Sequence, residues 1–228
     1  MTNAAGDGVI VDEILRDDPD CPVFGFNLAC AYPFPEAAAQ FYRPIAARLA
    51  ALDPGVYVYP DWETHITIVT FVNFNLHRKP AATLRAQLEL LLNPVCKILR
   101  KILEATRSFH LTIGAPMLTP KAAILPVSDD SGDVARIRRN VLDAFKSNAE
   151  LYDQLARAGL NVPAIVHSTV MRFKSAPQDY KKFAADFAEI SRSVTPVEIV
   201  VSELLLTTET KPYMREGKII RSFPLAPI

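Results

Sequence analysis

A chain of 228 residues, 50% hydrophobic and 22% charged, can bury a substantial core and make one domain or two small lobes. Its 25 Lys and Arg balance its 25 Asp and Glu. No overall positive field therefore exists to hold long double-stranded nucleic acid or an anionic membrane, and any nucleic-acid substrate is expected to be short or gripped locally.

The elements follow in order along the chain. Residues 1–7 are small and polar rather than basic then apolar, so no export signal is expected, and residues 1–22 read as a peripheral N-terminal segment. An apolar run rich in aromatic and branched residues predicts a buried strand over 23–32, and helical periodicity over 35–52 ends at Asp53-Pro54-Gly55. Strands are expected at 56–59 and 64–74, then a helical stretch over 80–106 broken at Asn93-Pro94. Residues 109–113 and 122–127 read as paired strands across a Pro-containing connection. The second half repeats the order, with a helix over 133–158 stopped by Gly159, a strand over 162–173 and a helix over 178–194. Strands at 197–208 and 218–225 finish the chain. Alternating strands and helices, without a regular parallel βαβ series or a G-x-G-x-x-G, predict an α+β fold with antiparallel or mixed sheets. No low-complexity linker divides the halves, so residues 1–228 read as one domain, and a monomer is expected. Cys21, Cys30 and Cys96 form no C-x-x-C and lie in apolar contexts, which fits a reducing cytoplasm. No apolar run approaches the roughly 18 residues of a membrane span.

Three of the four histidines begin an H-x-T triplet: His65-Ile66-Thr67, His110-Leu111-Thr112 and His167-Ser168-Thr169. In a strand, residues two apart share a face, so each imidazole projects beside a hydroxyl, which makes half of a phosphate site. Two such half-sites match the needs of phosphodiester cleavage, which removes a proton from the attacking oxygen and delivers one to the leaving oxygen. Histidine can do either near neutral pH.

The motifs Thr64-His65-Ile66-Thr67-Ile68-Val69-Thr70-Phe71 and Val166-His167-Ser168-Thr169-Val170-Met171-Arg172-Phe173, whose histidines stand 102 positions apart (167 − 65), resemble those of the two-histidine (2H) phosphoesterase superfamily. The resemblance covers residues 23–226 as an order of elements, and Ser168 departs from it in being polar. It implies two pseudo-symmetric lobes around a central cleft, His65 and His167 as the catalytic pair, and Thr67 and Thr169 as phosphate ligands. It also implies that 109–113 and 122–127 form a central hairpin, and that the activity is metal-independent and needs no cofactor. The implied substrate is a 2′,3′-cyclic phosphate or 2′,5′-type phosphodiester on a nucleotide or RNA end. His167 is read as the base and His65 as the acid, although the pseudo-symmetry allows the reverse. The rival reading is a nucleotide-binding module that kept the fold and lost turnover; RNA ligation is called for by nothing in the sequence.

Other residues have more ordinary explanations beside a functional one. Strict alternation turns Arg172 away from His167, leaving phosphate contact or a strand-end salt bridge open. Tyr213 and Trp62 are candidates to stack on a base, against plain hydrophobic packing. His110 and Thr112 face the cleft if Phe109, Leu111 and Ile113 face the helices. His77, next to Arg78 and Lys79, reads as a solvated loop residue. No H-x-x-x-H, paired Asp or Cys cluster offers a metal site, and no G-x-S-x-G is present.

Overall fold

A computed structural model describes residues 8–228. The reading of residues 1–7 falls outside the described residues. Helix α1 (Glu13–Asp17) precedes strand β1 (Gly25–Cys30), and helix α2 (Glu36–Ala50), β2 (Val56–Val58) and β3 (Ile66–Val72) follow. Helices α3 (Ala82–Leu90) and α4 (Leu92–Leu103) lead to β4 (Phe109–Ile113), β5 (Met117–Leu118) and β6 (Ala122–Ser128). Helices α5 (Asp133–Lys146) and α6 (Ala149–Arg157), β7 (His167–Phe173), α7 (Tyr180–Arg192), β8 (Val197–Val201), β9 (Glu203–Glu209) and β10 (Lys218–Pro224) follow.

All strand pairing within the two sheets is antiparallel. One sheet has the order β10-β9-β1-β3, and the other runs β8-β4-β6-β7-β2, with β5 beside β6. The two correspond. Each motif strand pairs with the strand that leads into the helix before it, β3 with β1 (followed by α2) and β7 with β6 (followed by α5). On its other edge each receives a segment from the opposite half. Strand β2 pairs with β7, while Asn161 exchanges two backbone hydrogen bonds with Thr70 of β3 (2.9 and 2.8 Å). The helices cross over in the same way: α2 lies against β2 and β8, whereas α5 and α6 lie against β3. One continuous core, including Leu28, Phe71, Leu99, Phe145, Val170 and Leu206, joins both sheets.

The differences from the sequence reading have local causes. The expected strand 197–208 is two strands in two sheets: β8 pairs with β4 and β9 with β1 and β10, so the chain passes between lobes at Ser202. The helical stretch 80–106 breaks at Leu91 rather than at Asn93-Pro94. Pro94 falls in the first turn of α4, where its missing N–H has no intrahelical partner to lose. The stretch 133–158 divides into α5 and α6 because the Asn148 side chain accepts from the Leu151 N–H (3.3 Å) and starts a new helix. Strands β4 and β6 meet only through Thr112–Ser128 and Ile113–Val127. The main partner of β4 is β8, and the hairpin is made by β5 and β6. Pro44 lies inside α2 on its exposed face, opposite buried Tyr42, Ile45 and Leu49.

Candidate functional site

His65 stands directly before β3 and His167 opens β7. Each imidazole is held in the same way, with Nδ1 against the backbone carbonyl two residues earlier: Glu63 for His65 (3.2 Å) and Ile165 for His167 (3.3 Å). A carbonyl only accepts, so Nδ1 carries the proton, and Nε2 of each neutral ring is left with a free lone pair. Thr67 and Thr169 share the faces of their histidines, and both line a cavity of about 210 Å³ together with His65. His167 is more exposed and stands outside the cavity wall, close enough that its charge acts on His65. Burial lowers the pKa of His65, and the His167 charge lowers it further, while the Glu63 carbonyl opposes both.

A β-bulge follows each motif threonine. On β3 the partner of Leu28 is Val69 and that of Ala29 is Thr67, so Ile68 is an extra residue; on β7 the partner of Ala123 is Met171 and that of Ile124 is Thr169, so Val170 is extra. One inserted residue resets the alternation, and the fifth residue after each histidine returns to the cleft face. These residues are Thr70 and Arg172, and both line the cavity. Arg172, which strict alternation turned away, is thus brought to the site, and Thr70 is its pseudo-equivalent.

Arg172 is locked from three sides. Its Nε donates to the Tyr59 hydroxyl (3.0 Å), its Nη1 to Asp12 (3.4 Å), and its guanidinium lies 4.3 Å from the centre of the Tyr213 ring. Residues 8–22, expected at the periphery, supply Asp12, whose backbone N–H donates to Phe173 (2.8 Å) and whose carboxylate also accepts from the Tyr213 hydroxyl. Tyr213, Met214 and Glu216 all have left-handed backbone (φ 63°, 62° and 58°), a strained run that the surroundings must hold. Glu209 does part of this by accepting from the Met214 N–H (3.1 Å). Glu209 is only 3% exposed, accepts from Asn27 (3.3 Å) and lines the same cavity. Burial pushes its carboxyl up to about 7, against the two hydrogen bonds and the nearby charge of Arg172.

The cavity therefore brings together His65, Thr67, Thr169, Arg172 and Tyr213, with His167 beside it. His110 lies on the same sheet face as His167, because Phe109, Leu111 and Ile113 are buried, but it is two strands away on β4. It pairs there with Glu198 (3.0 Å) and does not line the cavity. Trp62 is 65% exposed and also stands outside the cavity wall. His77 is not a solvated loop residue: its Nε2 lies 3.2 Å from the Ala158 carbonyl and its Nδ1 is buried without a partner. Sequence reading missed Asn27, Thr70 and Glu209. The signal for Asn27 was a polar residue inside an apolar run, Phe26-Asn27-Leu28. Among the described residues no group of three or more His, Cys, Asp or Glu is placed to hold a metal, and no helix is long and apolar enough to cross a membrane.

No family model matches the sequence, and no curated protein does. Solved structures do match. TT0787 of Thermus thermophilus is similar with a TM-score of 0.60 at 16% identity, covering 89% of this chain and 98% of its own. A structure described as a phosphoesterase matches with a TM-score of 0.52 at 14% identity, over 89% of this chain and 98% of its own. LigT of E. coli, complexed with 3′-AMP, matches with a TM-score of 0.51 at 14% identity, over 90% of this chain and 99% of its own. At these identities the likeness is one of fold alone, shared with TT0787, with the protein described as a phosphoesterase and with LigT.

Proposed function

We propose that the chain hydrolyses a 2′,3′-cyclic phosphate or a related 2′,5′-type phosphodiester on a nucleotide or RNA end, without a metal or other cofactor. The observation that carries this reading is the duplicated half-site: two H-x-T motifs with identically tethered rings, each followed by a bulge that returns a fifth residue to one cleft. The 3′-AMP bound by the E. coli protein, a nucleoside monophosphate, is of the kind such hydrolysis releases.

In this reading the hydroxyls of Thr67 and Thr169 hold the non-bridging phosphate oxygens, and Arg172, already fixed by Tyr59, Asp12 and Tyr213, supplies the compensating charge without reorganising. The lowered pKa of His65 favours its neutral form, so His65 is assigned here as the base and His167 as the acid, the opposite of the assignment made from sequence. Water attacks phosphorus as His65 Nε2 takes its proton. The ester oxygen leaves as His167 Nε2 delivers a proton to it, and the product is a phosphomonoester with a free hydroxyl. Each ring ends in the other's starting state, and one proton exchange through solvent resets the pair.

The test is purified protein in excess EDTA against cyclic mononucleotides, 2′,3′-cyclic-ended RNA and 2′,5′-oligoadenylate. Turnover of at least one of these in chelator is expected. Loss in EDTA with recovery on adding Zn²⁺ or Mg²⁺ would overturn the mechanism, and no turnover of any substrate would overturn the enzyme reading.

A further inference from the structure

The bulges that bring Thr70 and Arg172 to the cleft are each gripped from behind by a buried side chain. Arg138 of α5 donates from Nε to the Ile68 carbonyl (3.0 Å) and from Nη2 to the Thr67 carbonyl (3.1 Å), the inserted residue and the motif threonine of β3. Tyr42 of α2, wholly buried, donates to the Tyr59 carbonyl (2.5 Å) and reaches the Val170 carbonyl (3.3 Å), the inserted residue of β7. The Tyr59 N–H also donates to Val170 (2.9 Å), and its hydroxyl accepts from Arg172, so this grip extends into the site.

The two grips are crossed. Helix α2 follows β1 in the first half of the chain yet holds the second motif, and α5 follows β6 in the second half yet holds the first. A guanidinium is a costly way to fill the space behind a strand, since a buried charge must give up its hydration and an apolar side chain of similar length would fill it without that penalty. Arg138 forms no ion pair among the described residues and commits its planar fork to two successive carbonyls of one bulge.

We infer that Arg138 and Tyr42 are positioning residues that fix the two bulges and so set the two half-sites against each other across the cleft. The inference rests on the phosphoesterase reading for its effect on turnover, but not for its effect on anion binding. A shift of the order of 1 Å in a half-site can cost about 100-fold in rate.

The experiment compares Arg138→Met, Arg138→Lys and Tyr42→Phe with the wild type. Three quantities are read: thermal unfolding, steady-state kinetics on the best cyclic phosphate substrate, and the affinity for inorganic phosphate followed by ³¹P NMR. For Arg138→Met we expect kcat to fall by about 10–100-fold with a smaller change in KM, and phosphate affinity to weaken. Arg138→Lys, able to reach one carbonyl, should recover part of both. Tyr42→Phe, which deletes one oxygen atom, should lower kcat while melting as a folded protein. Folded Arg138→Met and Tyr42→Phe with wild-type kcat and phosphate affinity would overturn the inference. If Arg138→Met does not fold, the same outcomes in Arg138→Lys and Tyr42→Phe decide it. If the wild type turns over no phosphodiester, the enzyme reading fails on its own, and unchanged phosphate affinity in the folded variants remains the result that overturns the positioning role.

Discussion

At the residue scale, the two histidines are alike in their tethers and unlike in their surroundings. His65 is half-buried and has a like charge for a neighbour, and both effects disfavour its protonated form; the lowered pKa places the acidic limb of kcat/KM below the ordinary histidine value of 6.5. In His167→Ala the neighbouring charge is gone, so His65 should titrate higher by NMR, and an unmoved titration would mean that the rings do not interact. Either alanine variant should lose about 10²–10⁴-fold in kcat on a natural substrate. A nitrophenyl diester needs no proton at its leaving oxygen, so on that substrate His167→Ala should be largely rescued and His65→Ala should not. Rescue of His65→Ala instead would restore the assignment made from sequence.

At the element scale, the strained loop after β9 explains why an acid is buried in a phosphate cleft. Tyr213 and Met214 hold left-handed backbone at a cost of about 1–3 kcal/mol each, and Glu209 accepts from one of them. Burial raises Glu209 from 4.5 to about 7, so the fold favours its protonated form. Its stabilising contribution is complete below pH 4.5 and is lost as pH rises through about 7. Glutamine keeps an acceptor for the Met214 N–H and never ionises. Glu209→Gln should therefore melt close to the wild type near pH 4.5 and above it near pH 8. The same Tm difference at both pH values would show that the carboxyl is not held as described.

At the scale of the whole molecule, the halves are exchanged rather than set side by side. Strand β2 and the Asn161 segment each pair into the opposite half, α2 and α5 brace opposite motifs, and the chain crosses between sheets at Ser202. One core spans both sheets. From this we propose that the chain unfolds as one cooperative domain. Denaturant transitions followed by far-ultraviolet circular dichroism and by loss of activity should coincide, while two separated transitions would make the lobes independent units.

The sequence by itself determined what depends on near neighbours. The period-2 alternation at His65-Ile66-Thr67 and His167-Ser168-Thr169, the apolar run of β1 and the buried faces of α2 and α7 were legible because side-chain direction in a strand or helix repeats over a few residues. The tertiary structure decided what depends on a partner strand. The bulges at Ile68 and Val170 exist only relative to β1 and β6, and without them Thr70 and Arg172 fall on the wrong face. The break at Ser202 is likewise settled by tertiary pairing: the polar Ser202-Glu203 could equally face solvent within one strand, and β8 and β9 are told apart by the sheets they join. Asp12, Tyr42 and Arg138 bond to the motif strands across 160, 128 and 70 positions of chain, and Glu209 bonds to Asn27 across 182. No local pattern carries such distances; burial and hydrogen bonding within one shared core do.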